Sequence, residues 1–300
     1  MTGTMNNKME IRSGFVGIIG APNAGKSTLL NQILGQKISI TSKKPQTTRD
    51  RILGIMNRPF SQIIFIDTPG IHKSTTLLNK RIVDQALTAL VDVDVILFMV
   101  DAARRNYAAE KMIVSRLNQS GKKVILALNK IDIVEKTHVY PLVEDFKQLY
   151  DFTAIVPVSA KKNTQVSSLI DEVEKSLSVG PRLYPDETFT DVSEKFMIKE
   201  IIREKVFRLT GMEIPYSSAV TVDAFDIEKK CIVIHASIHV TKNSQKGIII
   251  GKKGAMLSKI GAKARKDIEE MLGQKVLLKS FVKISKNWTR NARILDEFGY

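Results

Sequence analysis

The sequence predicts an α/β protein in which a mainly parallel, doubly wound sheet is followed by a smaller α+β domain. Apolar runs of strand length alternate with stretches of helical periodicity over residues 13–180, the pattern of a parallel sheet with helices on both faces. Two prolines and no periodicity mark residues 181–187, and the patterns resume beyond them. We therefore expect a disordered stretch at 1–12, a first domain at 13–180, a linker at 181–190 and a second domain at 191–300.

Each element is predicted from its periodicity and its stop signals. Short continuous or alternating apolar runs predict strands, and apolar residues three and four apart, ended by glycine or proline, predict helices. The first domain then has strands at 15–19, 51–56, 61–66, 95–100, 124–128 and 155–158, and helices at 28–34, 77–93, 111–117, 139–150 and 166–177. The second has strands at 219–225, 231–240 and 276–284, and helices at 192–209, 244–250, 255–272 and 290–298.

Composition and charge exclude several classes of protein. Cys231 is the single cysteine, so an internal disulfide framework is impossible, and its apolar neighbours predict a small buried residue. The apolar stretch 91–103 contains three aspartates, which argues against a transmembrane helix. The net charge of +15 is concentrated: residues 241–293 carry fourteen Lys and Arg against three Asp and Glu, and residues 184–240 carry seven against ten. This distribution favours a polyanion-binding face in the second domain.

A phosphate-binding loop is predicted between the first strand and the first helix. Residues 20–27 have the spacing G-x-x-x-x-G-K-[ST], in the strand-turn-helix context that this motif requires. Backbone N–H groups and the helix N-terminus would cradle a polyphosphate. Lys26 would bridge the outer phosphates and the Ser27 hydroxyl would hold Mg²⁺. The predicted contacts are Gly20, Ala21, Pro22, Asn23, Ala24, Gly25, Lys26, Ser27 and Thr28.

Three further motifs stand at strand ends, where ligands bind in open parallel sheets. The first is Asp67, Thr68, Pro69 and Gly70, the second Asn129, Lys130, Ile131 and Asp132, and the third Ser159, Ala160 and Lys161. A proline-containing polar segment at 42–50 reads as a loop and holds Thr47 and Thr48. Asp67 taken alone is better explained as a carboxylate that caps a turn.

Gly251, Lys252, Lys253 and Gly254 join two helical stretches of the second domain. A G-x-x-G between helices is the backbone clamp of the KH RNA-binding module, although a helix cap and a turn would give the same four residues. The preceding isoleucines and the local positive charge favour the clamp, so we predict RNA contacts by Ile249, Ile250 and residues 251–254. We expect Phe281 and Trp288 to pack in the core rather than to stack on bases.

Taken in order, the first-domain motifs resemble those of the GTP-binding GTPases of the translation-factor class. The resemblance implies that the Asp132 carboxylate accepts the N1 and N2 hydrogens of guanine, a donor pair that adenine lacks. It further implies that Asn129 binds the base and ties the loops together, that the Lys130 stem covers the ring, and that the Ala160 N–H contacts the guanine oxygen.

Across residues 13–300 the chain resembles the Era family, in Gly-Ala-Pro-Asn-Ala-Gly-Lys-Ser, Pro-Gln-Thr-Thr-Arg, Asp-Thr-Pro-Gly, Asn-Lys-Ile-Asp and Ile-Ile-Gly-Lys-Lys-Gly. The resemblance implies a P-loop GTPase domain followed by a type II KH domain, in a bacterial ribosome-assembly GTPase. Such a protein would bind the 3′ end of the small-subunit ribosomal RNA and the 30S subunit. It would be a cytoplasmic monomer that also associates peripherally with the inner membrane.

The resemblance also implies a mechanism for hydrolysis of GTP to GDP and phosphate. Lys26, Thr48 and Gly70 would act on the phosphates, and Ser27 and Thr48 would bind Mg²⁺, with Asp67 acting through a water; Thr47 is an alternative to Thr48. Residue 71 is isoleucine where many relatives have a water-orienting glutamine, so we expect slow intrinsic turnover. Asn23 is then a candidate K⁺ ligand.

Two other functions are weighed against this one. A non-hydrolysing RNA-binding module with a vestigial nucleotide fold would not need the intact motif set. An ATP-dependent RNA enzyme would need a different base-reading loop from Asn129–Asp132.

Overall fold

The computed structural model describes residues 10–42, 44–71, 76–88, 91–211 and 213–300, apart from the side chains of Gln85 and Leu87. Within these residues the chain forms two compact units. The first unit contains the described residues up to 37, together with 51–71 and 86–191, and the second contains 38–50, 192–300 and the described part of 72–85. The predicted disorder at residues 1–9 lies outside the described residues, and the first strand already begins at Arg12.

A six-stranded sheet in the order β2-β3-β1-β4-β5-β6 forms the first unit. Every neighbouring pair is parallel except β2 and β3, which confirms the predicted mainly parallel sheet. The strands are β1 Arg12–Gly20, β2 Ile52–Arg58, β3 Ser61–Asp67, β4 Val95–Asp101, β5 Lys123–Asn129 and β6 Ala154–Pro157. The helices are α1 Lys26–Leu34, α2 Leu77–Thr88, α3 Tyr107–Ser120, α4 Lys136–Leu149 and α5 Val166–Ser176.

The central strands are buried on both faces, which is why they read as continuous apolar runs. Every residue of β4 from Val95 to Val100 is buried. Phe98 packs near Phe146 of α4 and near Phe152, with ring centroids 6.4 Å away in both cases. The motifs at 20–27, 67–70 and 129–132 therefore all leave the carboxyl ends of strands that the core holds rigidly.

Residues 181–190, the predicted linker, contact the sheet of the first unit. They run along β2, the last strand of the sheet, where Ile55 N–H donates to Phe189 O at 2.9 Å and Gly54 pairs with Thr190. The buried Gln62 side chain accepts from the Leu183 N–H at 2.6 Å. The physical reason is that β2 has an unpaired outer edge, whose N–H and C=O groups bind this segment.

The second unit contains a three-stranded sheet in the order β7-β8-β9, with β7 antiparallel and β9 parallel to β8. Apart from one additional short helix after α6, the element order is the one predicted, helix–strand–strand–helix–helix–strand. The strands are β7 Ala219–Ile227, β8 Ile232–Val240 and β9 Val276–Ile284; the helices are α6 Glu194–Leu209, α7 Glu213–Ser217, α8 Asn243–Ile250, α9 Ala255–Leu272 and α10 Ala292–Phe298. The sequence pattern did not reveal α7, which is short and contains Pro215.

Two segments of the predicted first domain belong to the second unit instead. These are residues 38–50 and the described part of 72–85, and their side chains explain the assignment. Arg49 is buried among groups of the second unit, and Leu78 and Ile82 of α2 pack with Trp288. The domain is therefore discontinuous in sequence, which local periodicity cannot reveal.

The structure tests three smaller expectations about burial. Trp288 is fully buried, as expected, whereas Phe281 is 49% exposed, so the prediction of core packing is wrong for it. Phe281 alternates outward on β9, an edge strand with one covered face. Cys231 is half-buried rather than buried, because it lies at the turn before β8.

Candidate nucleotide and RNA sites

The phosphate loop is a tight turn between β1 and α1. Asn23 and Gly25 both have left-handed backbone conformations, with φ of 65° and 101°. A Cβ on Gly25 would lie 2.1 Å from the Asn129 amide nitrogen, so only glycine fits here. Because Gly25 has no side chain, the backbone of the turn lies directly against the Asn129 amide.

Lys26 begins helix α1 and is almost fully buried, at 6% exposure. Its ammonium donates to Gly20 O at 3.2 Å and to Ala21 O at 3.1 Å, which folds the side chain back over the loop. Burial lowers the pKa of Lys26 to about 8, against the opposing attraction of Asp67. A buried cation of this kind gains from a nearby polyanion, because phosphate charge reverses the desolvation penalty.

The Ser27 hydroxyl, at the second residue of α1, donates to Asp67 Oδ2 at 2.7 Å. A hydroxyl and a carboxylate oxygen at this separation are the hard oxygen donors that Mg²⁺ takes from proteins. The donor set therefore fits the predicted metal. Thr28 is half-buried in the next position of α1.

The Asp67–Gly70 motif leaves β3 and packs directly on the phosphate loop. A Cβ on Gly70 would lie 2.8 Å from Pro22 Cα, and Ile71 N–H donates to Gly20 O at 3.2 Å. The Thr68 hydroxyl donates to Ile18 O at 2.8 Å. Thr68, Pro69 and Gly70 are all buried, so the sequence-predicted pair of motifs meets in space.

Asn129 joins the phosphate loop to two further loops, residues 129–132 and 159–161, which we predict to contact the base and call the base-reading loops. Its amide nitrogen donates to Ala24 O at 2.7 Å, and its amide oxygen accepts from the Ala160 N–H at 3.0 Å. The residue is 2% exposed. The predicted tie between the loops is therefore present. The Ala160 N–H, for which we predicted a contact with the guanine oxygen, has Asn129 as its partner here.

Asp132 and Ser159 hold the two base-reading loops together, since the Ser159 hydroxyl donates to Asp132 Oδ1 at 2.7 Å. Lys161 is exposed beside them. The Lys130 ammonium pairs with Asp101 at the end of β4, a residue that the sequence reasoning missed. The signal was available, because Asp101 ends a buried strand just as Asp67 does.

Thr47 and Thr48 lie in the second unit. The Thr47 hydroxyl donates to Lys44 O at 2.9 Å, and Thr48 is 7% exposed. The structure therefore places these candidate Mg²⁺ ligands in a different unit from Ser27 and Asp67, and the choice between them stays open.

The Gly251–Gly254 clamp lies between α8 and α9, as the sequence predicts. Gly251 has φ 72°, and a Cβ there would lie 2.7 Å from Met256 Cβ, so glycine is required. Lys253, at φ 50°, is also left-handed, and both Lys252 and Lys253 are exposed. The turn therefore exposes its backbone and two cations at the N-terminus of α9.

An open groove of ≈ 440 Å³ starts at this clamp. Helix α9 and the edge strand β9 form its walls, and its floor is made of small or apolar side chains. It is lined by Gly254, Leu257, Ser258, Gly261, Ala262, Arg265, Leu277, Leu278 and Ser280. Among these lining residues, Gly254, Ser258, Gly261, Ala262 and Ser280 are small.

Ile249 does not reach this groove. It is fully buried in the hydrophobic core of the second unit, so the predicted RNA contact is wrong for this residue. Ile250 is half-buried. Of the three consecutive isoleucines, Ile248 is the exposed one, at 51%. A run of identical residues cannot show which one a helix turns inward.

Two families match the chain in these regions. The family described as "50S ribosome-binding GTPase" matches residues 15–130, and the KH domain family matches residues 213–289. The GTPase Era of Geotalea uraniireducens (strain Rf4) is 51% identical over 292 residues, which cover 97% of this chain and 98% of the relative. The GTPase Era of Syntrophus aciditrophicus (strain SB) is 48% identical, covering 96% and 95%.

Two solved structures of Era are similar to this chain over nearly its full length. Era in complex with MgGDPNP and nucleotides 1506–1542 of 16S ribosomal RNA has a TM-score of 0.94 and 39% identity, covering 97% of this chain and 99% of that one. A tyrosine-to-alanine variant of Aquifex aeolicus Era bound to GDP.AlF4- has a TM-score of 0.93, with the same identity and coverage.

A first prediction concerns the fit of Gly25 against Asn129. Gly25→Ala should displace the Asn129 amide and weaken GDP binding at least tenfold, because a buried partner left unsatisfied costs about 1–3 kcal/mol. Gly35→Ala is the matched control, since Gly35 also has a positive φ, 65°, but nothing lies within 4 Å of its Cβ position. Fluorescent-GDP titration of both variants measures the difference; equal losses would show that only backbone strain matters.

A second prediction concerns the proton on Lys26. Its pKa of about 8 should rise when phosphates bind, so binding of MgGDP at a pH of about 8.5 should take up about three quarters of a proton. The apparent affinity should accordingly fall as the pH rises above 8. Calorimetry in two buffers of different ionisation enthalpy counts the protons. Lys26→Met should abolish the uptake, and uptake that persists in this variant would assign the proton elsewhere.

Proposed function

Because the chain belongs to the Era family of GTPases, we propose that it hydrolyses GTP in its first unit and binds the 3′ end of the small-subunit ribosomal RNA with its second. The observation that carries the nucleotide site is the Asn129 bridge, which holds a phosphate loop and a guanine-reading loop in one arrangement. The observation that supports the RNA site is a Gly251–Gly254 turn with two exposed lysines, next to an open groove of ≈ 440 Å³.

Guanine recognition is assigned to Asp132. Its carboxylate accepts from the Ser159 hydroxyl at 2.7 Å and would also accept the N1 and N2 hydrogens of guanine. Adenine has no donor pair for a carboxylate, so an adenine nucleotide would leave the charge unsatisfied. Lys130, held by Asp101, would lie with its stem along the base.

Phosphate binding and hydrolysis are assigned to the loop and to the Asp67–Gly70 motif. Ser27, with Asp67 acting through a water, would hold Mg²⁺, which would neutralise phosphate charge. The family resemblance implies Thr48 as a further ligand, with Thr47 as the alternative. Lys26 would donate to the outer phosphates, and the Gly70 N–H would detect the γ-phosphate. Positioning and electrostatics account for such a reaction without covalent catalysis.

The water that attacks the γ-phosphate has no glutamine beside it, because residue 71 is isoleucine. Ile71 is 1% exposed, so its side chain belongs to the core and cannot orient a solvent molecule. We therefore expect slow intrinsic turnover, with K⁺ near Asn23 offsetting the negative charge that develops in the transition state.

RNA binding is assigned to the groove and its clamp. A KH module takes about four single-stranded nucleotides, with the clamp against their backbone. Era in the solved complex holds nucleotides 1506–1542 of 16S ribosomal RNA, and we propose the same class of ligand for this chain. The glycines at 251 and 254 allow close approach, and the cations of the intervening pair face the phosphates.

The partners follow from this assignment. A protein that holds the 3′ end of this RNA would act on the small ribosomal subunit during its assembly, which implies a cytoplasmic location. In the described residues, no helix is both long enough and apolar enough to cross a membrane. Peripheral association with the inner membrane and a monomeric state are proposed only from the family resemblance.

A third prediction tests base choice. GTP and GDP should bind about 10⁴–10⁵-fold more tightly than ATP and ADP, the penalty for a missing donor in a site built for it. Asp132→Asn should transfer the preference to xanthosine nucleotides, whose ring oxygen accepts from the new amide. Competition titrations against fluorescent GDP measure both effects. If ATP competes as well as GTP with the wild type, the base assignment is wrong.

A fourth prediction tests the cation. Hydrolysis should be faster in K⁺ than in Na⁺ at equal ionic strength, and the difference should disappear in Asn23→Ala. Because Asn23 has φ 65°, Asn23→Gly is needed as well, since it removes the side chain without straining the backbone. Phosphate release is measured in both salts. Identical wild-type rates, or a K⁺ effect that survives in both variants, would refute the role of Asn23.

A fifth prediction tests the clamp. Replacing Lys252 and Lys253 by Asp should weaken binding to all single-stranded RNAs alike and flatten the plot of log affinity against log salt by about 0.7 per lost phosphate contact. The matched control replaces Lys229 and Lys230, an exposed pair in the β7–β8 turn, by Asp. GTP binding should survive in both. Fluorescence anisotropy at several salt concentrations measures the slopes; equal slopes for the two double mutants would contradict the assignment.

A further inference from the structure

Two segments connect the nucleotide motifs to the second unit along the chain. Residues 38–50, here called the threonine segment, follow the helix that carries Lys26 and Ser27 and contain Thr47 and Thr48. Residues 76–85, here called the α2 segment, follow the Asp67–Gly70 motif. Both belong to the second unit. Side-chain hydrogen bonds and packing hold both segments in the second unit.

Arg49 anchors the threonine segment. Its guanidinium is 3% exposed and donates to Pro215 O at 2.7 Å, to Ser218 O at 2.8 Å and to the Tyr300 hydroxyl at 3.4 Å. The guanidinium carbon also lies 5.5 Å from the Tyr300 ring centroid and 5.9 Å from that of Trp288. A buried arginine keeps its charge, so these oxygens and ring faces take the place of its water.

Helix α6 adds further bonds to the same segment. The Lys44 ammonium donates to Phe207 O and to Thr210 O at the end of the helix, both at 2.5 Å. Arg203 donates to Thr47 O at 2.5 Å. The segment is therefore tied along its length, and the carbonyl next to Thr48 is one of the tied groups.

Tyr300 also binds the α2 segment. Arg81 of α2 donates to Tyr300 O at 3.0 Å. Leu78 and Ile82 lie in one buried cluster with Trp288 and Tyr300. Tyr300 therefore contacts both segments, one through its ring and hydroxyl and the other through its carbonyl and its packing.

We propose that Tyr300 is a positioning residue for the GTPase reaction. By holding Arg49 and Arg81 it sets the positions of the threonine segment and the α2 segment, and it transmits their displacement to the RNA-binding unit. The proposal rests on the proposed function, in which a γ-phosphate draws Thr47 or Thr48 and Gly70 towards itself. In GTPases, contacts with the γ-phosphate order the segments around it, and hydrolysis releases them. In this chain both segments contact one aromatic residue, Tyr300.

The experiment measures the coupling between two ligands. The affinity for GDPNP is determined with and without a saturating RNA of nucleotides 1506–1542 of 16S ribosomal RNA, and the ratio is the coupling factor. We expect a wild-type factor that differs from one by about 5-fold or more. Tyr300→Ala should bring it to within about twofold of one, and Tyr300→Phe, which retains the ring, should keep most of it.

Ile268→Ala is the matched control, because Ile268 is fully buried in the core of the same unit and is not part of the Tyr300 cluster. It should destabilise the unit and leave the coupling factor unchanged. Thermal unfolding verifies that each variant is folded. If Tyr300→Ala does not fold, Arg81→Gln replaces it, since this side chain is partly exposed and bonds to Tyr300 O and Asp296. A reduced factor is expected there too.

The outcomes separate the two proposals. A wild type that binds neither GDPNP nor this RNA contradicts the proposed function. A wild type that binds both with a factor of one contradicts the role of Tyr300 alone. Coupling that survives in folded Tyr300→Ala, or in Arg81→Gln where that variant replaces it, or that is lost equally in Ile268→Ala, also overturns the role of Tyr300.

Discussion

The side-chain amide of Asn129 is the interaction on which the nucleotide site depends. The phosphate loop and the base-reading loops leave different strands, and each could shift independently on its own strand. The amide removes this freedom by accepting a hydrogen bond from one loop and donating one to the other. Each bond adds only about 0.5–1.5 kcal/mol of net stability. The larger effect of the two bonds is on the spacing between the phosphate loop and the base-reading loops. This spacing is set before any nucleotide binds, so nucleotide binding does not have to order the loops.

The second unit depends on a different constraint, the burial of charge along helix α6. Glu200, Arg203, Glu204 and Lys205 are all buried, and unpaired charges in such positions would be very costly. Glu200 and Arg203 form an ion pair at 2.7 Å. Burial alone would lower the pKa of Arg203, but the charge and hydrogen bonds of Glu200, together with Tyr300 and Asp50 nearby, raise that pKa. The charged side chains of α6 bond to residues 38–50, since Glu204 accepts from the Thr41 N–H and Arg203 donates to Thr47 O.

The sequence was sufficient wherever chemistry and local geometry coincide. The strands that lead to Lys26, Ser27, Asp67 and Asp132 could be recognised from the sequence, because their apolar runs are continuous and local. The contacts of these residues with phosphate, Mg²⁺ and guanine stay predictions. It was insufficient wherever the answer lies in distant packing. Nothing local to Arg49 shows that three aromatic rings surround it, and a run of three isoleucines does not show that Ile249 turns inward. Residues 181–190 were predicted as a linker because they contain two prolines and no periodicity. Their contacts with the edge strand β2 depend on backbone groups that are distant in sequence.

In the proposed guanine-nucleotide site, Asn129 holds the phosphate loop and the base-reading loops together. The most direct test is the calorimetric affinity of GDP for the wild type and for Asn129→Ala, with thermal unfolding to verify the fold. The substitution strands two buried backbone groups, Ala24 O and the Ala160 N–H, at about 1–3 kcal/mol each. We predict that GDP affinity falls by about 30-fold or more, since 1.4 kcal/mol corresponds to a factor of ten. A folded Asn129→Ala variant that binds GDP within about threefold of the wild type, roughly 0.7 kcal/mol, would contradict the account.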